Sequence, residues 1–379
     1  MKNHDYAMEY IVTRGLKEKT LMKLELVLDH YCTFQGLPFE DLLTEADTEE
    51  EQGIRWKRRK LKTRITSYMN YCKSQMMLSS AKSYVNYILA LYRHHEIEIG
   101  MLPKWNVKNA KLSEPITSKD MLTKPLIREA LKVANPLMTG IILTEASSGM
   151  TRSDVLGLKV SDFIDATYMY HHENNIQEAI SKMLKDKDDI IGTWRSRRLK
   201  NNKYFITFTS PEATIAICKY LQIRDKRNYK YHRPLLTKTD PLFKIHEKTY
   251  IDKFGEINKA LDRGKAGTYN QIRGHMLRKF HATQLEKHGM SRSLVNVLQG
   301  KSNNAVDDVY FIEDEDTLRK EYLRAMDGVL IYTDVKEITM YSPEYQKLEK
   351  ENKKLKSRDE QLNDIRRRLE ILEASDNER

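Results

Sequence analysis

The chain's 379 residues predict a mainly α-helical protein with a small β-sheet, of the α+β class. Three observations lead there. Apolar residues recur at three-to-four spacing over most of residues 10–100 and again from about 123 to 330. Only the stretch 190–209 changes to β-forming residues, set around an Asn-Asn pair. Near the end, Leu348, Leu355, Leu362 and Leu369 return every seven residues, the signature of a coiled coil.

The first region, 1–105, is expected to be a helical domain. Leu21, Leu24, Leu28 and Tyr31 make one apolar stripe; Ile65, Tyr68, Met69 and Cys72 a second; Tyr84, Val85, Ile88, Leu89 and Tyr92 a third. Each stripe marks the buried face of a helix. Lys17, Lys19 and Lys23 flank the first helix, and Arg55-Trp56-Lys57-Arg58-Arg59-Lys60 precedes the second. Pro103 and Pro115 bracket a polar stretch, so 106–120 reads as a linker.

The second domain, 121–335, begins with Thr123-Lys124-Pro125, where Thr can cap a helix and Pro fits its first turn. In 190–209, Ile190-Ile191 leads through Arg195, Arg197, Arg198, Lys200 and Lys203 to Tyr204-Phe205-Ile206-Thr207-Phe208. Asn201-Asn202 lies between, and Asn tolerates positive φ, so a basic hairpin is expected. Ser210-Pro211-Glu212 opens the next helix. Gly264-Lys265-Ala266-Gly267-Thr268 has the wrong spacing for a phosphate-binding loop and reads as a flexible loop. Ser342-Pro343-Glu344 starts the last helix, 342–374, whose second seam contains Glu351, Arg358, Ile365 and Leu372.

Composition narrows the function. Lys and Arg number 65 against 54 Asp and Glu, a formal charge of +11. That surplus favours a polyanion partner, nucleic acid first and an anionic membrane surface second. Three distant cysteines, Cys32, Cys72 and Cys218, form neither a disulfide framework nor a zinc motif. His94-His95 and His171-His172-Glu173 lack partner clusters, so no metal site and no cofactor are expected. The absence of a signal-like N-terminus and of a run of ~20 apolar residues points to a cytoplasmic protein.

The chemistry concentrates in His275-Met276-Leu277-Arg278, followed thirty-two residues later by Tyr310. An i,i+3 spacing turns His275 and Arg278 to one helix face, so both can address one phosphate. Breaking a phosphodiester without a metal requires fixed cations where charge builds on the phosphoryl oxygens. Arg supplies a planar, permanently charged fork for this. A Tyr nucleophile, with a pKa near ~10, gains from nearby cations and leaves a covalent phosphotyrosine. The departing alkoxide needs a proton from Lys or His.

The segment Arg273-Gly274-His275-Met276-Leu277-Arg278-Lys279-Phe280-His281-Ala282-Thr283 resembles the His-x-Leu-Arg…Ala-Thr box of the tyrosine recombinase, or phage integrase, family. Leu298-Gln299-Gly300-Lys301 resembles that family's Leu-x-Gly-His segment, and Tyr310 follows Lys301 at the family's nine-residue spacing. Ser147-Ser148-Gly149-Met150-Thr151-Arg152-Ser153-Asp154 resembles its first-arginine box. The Arg stands one residue later than usual, since Thr151 holds the position three before the acid.

The resemblance spans roughly residues 10–330. It implies a helical, SAM-like core-binding domain and a recombinase catalytic domain, clamped on double-stranded DNA, with four protomers on two sites. It implies that Arg152 and Arg278 clamp the scissile phosphate and that His275 acts as base or phosphate ligand. Lys200 protonates the leaving 5′-oxygen, with Arg198 and Lys203 as rivals. Lys301, in a slot usually His or Trp, donates to the phosphate. Tyr310 is the nucleophile, with Tyr322 as fallback. Further DNA contacts are expected from Arg55, Lys57, Arg58, Arg59, Arg195, Arg197, Arg198 and Lys203. The expected reaction is site-specific cleavage and rejoining of DNA without metal or ATP. A type IB topoisomerase-like enzyme and a non-catalytic DNA-binding protein on the same scaffold stay open beside it, and the 342–374 helix could add protomer contacts.

Overall fold

A computed structural model describes residues 2–108, 110–185, 189–198, 202–301 and 314–332. The chain divides into two compact units between Pro115 and Ile116. Lys200, Tyr310 and the 342–374 helix lie outside the described residues.

Among the described residues the first unit carries the helices α1 (Asn3–Thr13), α2 (Glu18–Gln35), α3 (Phe39–Glu51), α4 (Lys60–Gln75) and α5 (Leu78–His94). The apolar stripes meet in one core. Leu24, Leu28 and Tyr31 of α2 pack with Ile65, Tyr68 and Cys72 of α4 and Val85, Ile88 and Tyr92 of α5. Tyr31 sets its ring edge-on to Tyr68, with centroids 4.8 Å apart, and its hydroxyl lies 3.2 Å from that of Tyr92, so the buried phenols satisfy one another. Gly36, at φ +68, ends α2 in the left-handed conformation that glycine adopts without a Cβ penalty.

The second unit is built on α7 (Pro136–Ser148), preceded by α6 (Lys124–Val133). Helix α7 is buried nearly all round, with Ile141, Ile142, Leu143 and Ala146 in the core. Its polar residues survive burial by bonding to their own helix. The hydroxyls of Thr144, Ser147 and Ser148 donate to carbonyls four residues back at 2.7, 2.7 and 2.6 Å. Then come α8 (Arg152–Gly157), α9 (Val160–His171) and α10 (Ile176–Lys185), the antiparallel pair β1 (Gly192–Arg197) and β2 (Tyr204–Thr209), and α11 (Pro211–Lys230). The strands run in register from Gly192 opposite Thr209 to Arg197 opposite Tyr204, and Asn202 has φ +55. Trp194 anchors the pair by donating to Thr209 Oγ1 at 3.0 Å.

Helix α12 (Glu247–Ala260) follows, then β3 (Lys265–Ala266) and β4 (Tyr269–Asn270). This corrects the expectation of an unstructured 264–268 loop. Gly267, at φ +66, allows a tight turn that pairs Lys265 with Asn270 and Ala266 with Tyr269. The unit closes with α13 (Gly274–Lys287), α14 (Arg292–Leu298) and α15 (Glu315–Ala325). Helices α11 and α13 both pack on α7, so α13 is fixed against the most buried element of the unit. No described helix is long and apolar enough to cross a membrane.

Candidate active site

Helix α13 presents both box residues. His275 lies at its exposed start, and Arg278, one turn on, is 8% exposed. Gly274 lets the first turn sit close to the core. A Cβ there would collide with Tyr250 Oη and stand 2.7 Å from Glu145 Oε2. Tyr250 donates to Glu145 Oε1 at 2.6 Å. Glu145 is fully buried, and burial pushes its carboxyl up to about 8. A neutral acid thus supports the start of the helix.

The Arg278 guanidinium reaches two backbone carbonyls, Gly149 O and, at 2.7 Å, Gln299 O. Burial lowers its pKa to about 10; the nearby Arg198 adds to this and Asp154 opposes it. It stays charged at neutral pH, held between the end of α7 and the end of α14. Gly149 turns at φ +64 directly above the His281 ring, where a Cβ would stand 2.5 Å from Nδ1. Burial, aided by Arg278 and Lys301, drives His281 down to about 3, so its imidazole is neutral. Gln299 Nε2 lies 3.1 Å from His281 Nδ1 and donates to the Arg278 carbonyl at 3.0 Å. Gln299, His281 and Gly149 therefore fix the Arg278 fork.

Thr151, where the resemblance leads one to expect the first arginine, serves α8 as its cap. Its hydroxyl donates to Asp154 Oδ2 at 2.6 Å and accepts from Asp154 N at 3.4 Å. Arg152 is the first residue of α8, and its guanidinium meets Glu247 at 2.6 Å, with the two side chains 39% and 41% exposed. A cavity of about 500 Å³ is lined by Arg152, Arg273, His275 and Arg278, with Met150, Tyr250 and Phe254 among its apolar walls. The first-arginine box and the His-Arg helix, more than a hundred residues apart, thus converge on one cationic cavity. Burial, and then Lys279, Arg273, Arg278 and Lys301, lower the His275 pKa and favour a neutral ring able to accept a proton.

Lys301 is half-buried, and burial together with Arg278, Arg292 and Arg198 lowers its pKa. Tyr322 is fully buried and donates to Ser147 O at 3.0 Å, so it is a core residue with no access to a phosphate. Of the hairpin cations, Arg195 donates to Glu315 at 2.7 Å and Arg197 packs over the Tyr204 ring. Arg198 and Lys203 face the 300–301 segment, at 3.1 Å from Gly300 O and 3.3 Å from Lys301 O. In the first unit Arg55, Lys57 and Arg58 are exposed. Arg59 corrects the expectation of a DNA contact. It is 7% exposed and donates to Glu50 at 2.9 Å and to Ile54 O at 2.8 Å, because a buried guanidinium needs these partners.

Sequence reasoning missed Glu145, Tyr250, Glu247, Gln299 and His281. His281 and Gln299 sit inside the recognised boxes, and the glycines beside them, Gly149 and Gly300, were the available signal. Nothing local marks Glu145, Tyr250 or Glu247.

Residues 140–315 match the family model described as the phage integrase family. No curated protein matches the chain by sequence. Among solved structures, the chain is similar to a XerA recombinase at 16% identity and a TM-score of 0.34, covering 84% of this chain and 96% of that one. It is similar to a XerH site-specific recombinase bound to difH substrate at 16% identity and a TM-score of 0.41, over 68% and 69% of the two chains. A Tn1549 transposon integrase in complex with circular intermediate DNA gives 15% identity and a TM-score of 0.43, over 85% and 99%. The likeness to the phage integrase family rests on the match over residues 140–315.

Proposed function

Because the chain carries a phage integrase family domain over residues 140–315, we propose that it is a site-specific DNA recombinase that cuts and rejoins strands through a phosphotyrosine at Tyr310. The observation that carries this reading is the convergence of Arg152, His275 and Arg278 on one cavity.

In this mechanism Arg152 and Arg278 hold the two non-bridging oxygens of a scissile phosphate, and their charges meet the negative charge that grows there. His275, neutral near pH 7, accepts the Tyr310 phenol proton. The phenolate oxygen forms a bond to phosphorus, the bond from phosphorus to the 5′-oxygen breaks, and the 5′-oxygen leaves with a proton from Lys200. Lys301 donates a hydrogen bond to the phosphate. The reverse sequence, with the 5′-hydroxyl of another strand attacking the phosphotyrosine, rejoins the DNA. The phosphodiester energy is kept in the protein bond, so neither metal nor ATP enters. Double-stranded DNA is the partner, and four protomers on two sites complete the exchange.

The test uses a pool of random-sequence duplexes, each nicked so that the cut 5′ fragment diffuses away. The wild-type chain is expected to form a denaturant-resistant protein–DNA adduct, and sequencing the captured DNA gives the site. Tyr310→Phe is expected to form none. A wild-type protein that binds duplex DNA but leaves no adduct across the pool would overturn the enzymatic reading in favour of a DNA-binding protein.

A further inference from the structure

The end of α14 is closed by two separate sets of bonds. The first is local. Gly300 N donates to Val297 O and Lys301 N to Asn296 O, both at 2.8 Å, with Gly300 at φ +60. This is a Schellman closure, which turns the chain sharply out of a helix. It leaves the next carbonyls, 299 to 301, pointing away from the helix without amide partners from it.

The second set is remote. Each of these three consecutive carbonyls takes its own cation, one from α13 and two from the turn of the β1–β2 hairpin. Arg278 of α13 donates to Gln299 O at 2.7 Å. Arg198, just past β1, donates to Gly300 O at 3.1 Å. Lys203, just before β2, donates to Lys301 O at 3.3 Å. The Arg198 stem lies flat on Gly300, where a Cβ would stand 2.7 Å from its Cδ and 2.9 Å from Phe205 Cγ. Arg198 and Lys203 also pair with each other through the backbone, Arg198 N donating to Lys203 O at 2.9 Å. Cations at the negative end of a helix are favoured, which holds the arrangement together before any DNA arrives.

We infer that Arg198 and Lys203 are positioning residues: they tie the basic hairpin to the Gly300–Lys301 corner and thereby set the Lys301 ammonium beside Arg278 in the phosphate site. The inference rests on the proposed recombinase function and adds to it two side chains that act through Lys301. It also gives a reason for Gly300. Any side chain there would strain the left-handed turn and displace the Arg198 stem. Arg198 and Lys203 thus serve the site from behind, by holding backbone, and leave the phosphate itself to Arg152, Arg278 and Lys301.

The test is a double-mutant cycle on the full chain, using the nicked duplex recovered from the random pool. Arg198→Gln is expected to slow adduct formation at saturating DNA by about ten- to hundredfold, the cost of a charged hydrogen bond, while the DNA concentration giving half-maximal rate changes less than about twofold. Arg198→Lys should recover part of the loss. In a Lys301→Ala background, Arg198→Gln should slow the reaction no further, because its effect passes through Lys301. Lys203→Gln should repeat the pattern more weakly. Multiplicative losses in the cycle, or a weaker half-saturation with an unchanged maximum, would make these cations direct DNA contacts and overturn the inference while leaving the recombinase standing. An Arg198→Gln protein whose melting falls in step with its rate, with no rescue by lysine, would also overturn it. A wild-type chain that forms no adduct removes both readings together.

Discussion

Arg152 and Glu247, ninety-five residues apart, meet guanidinium to carboxylate at 2.6 Å on the rim of the cavity that also holds His275 and Arg278. Thr151 caps α8 and Arg152 opens it, so the guanidinium leaves from the first turn of that helix. Its partner Glu247 is the first residue of α12. Its carboxylate is itself favoured at a helix start.

Arg152→Ala is expected to lower adduct formation by about 10²–10³, the usual loss when one charge-stabilising group is removed. Because both partners are well exposed, thermal stability should move by less than about 1 kcal/mol. Equal adduct rates in wild type and variant would show that another cation fills the first-arginine role.

Arg278→Ala should abolish the adduct and also destabilise the fold. The Gly149 and Gln299 carbonyls lose their donor in a buried place, at about 1–3 kcal/mol for each stranded group. Denaturant midpoints with an unchanged slope would report this. A variant as stable as wild type would mean that water replaces the guanidinium.

His281 gives a pH signature. Its folded pKa of about 3 lies below the unfolded value near ~6.5. Below ~6.5 the unfolded chain therefore binds one proton more than the folded one. The stability this group contributes is complete above ~6.5 and is lost as pH falls toward about 3. His281→Asn keeps an acceptor for Gln299 and should remove up to about 1.4 kcal/mol per pH unit of that slope. Denaturant titrations between pH 7 and 4 decide it; parallel slopes in the two proteins would place the proton uptake elsewhere.

Gly274→Ala forces a methyl group against the Tyr250 hydroxyl and the Glu145 carboxyl. The expected cost is about 1–3 kcal/mol, as for other overpacked sites. Tyr250→Phe removes the colliding oxygen and should return part of that cost in the double variant, a non-additivity that thermal melts can resolve.

The basic run of the first unit separates by burial. Replacing Arg55, Lys57 and Arg58 by Ala should weaken DNA binding and lower the log–log salt slope by about one for each phosphate no longer neutralised. Arg59→Ala should leave that slope alone and instead lower stability by about 1–2 kcal/mol through the stranded Glu50. Isotherms at several salt concentrations, beside melting curves, distinguish the two effects.

What the sequence determined by itself was periodic or local. The stripes of α2, α4 and α5 are amphipathic repeats, legible because each helix hides one face. Ser210-Pro211 and Thr123 mark helix starts through hydrogen bonds that span three residues. The β1–β2 pair showed as a change of period around Asn-Asn, and His275 and Arg278 share a face because a helix repeats every ~3.6 residues. The short β3–β4 pair was missed because two-residue strands leave no period to read. Only the tertiary structure decided that Arg59 turns inward, that Tyr322 is core, and that Arg152 leans on Glu247. It alone gathered Arg278, Arg198 and Lys203 on three successive carbonyls. These are choices between a charged or polar group in water and the same group matched to a distant partner. No local pattern encodes them, because the partner is supplied by the packing of α7, α12, α13 and α14 and not by neighbours in the chain.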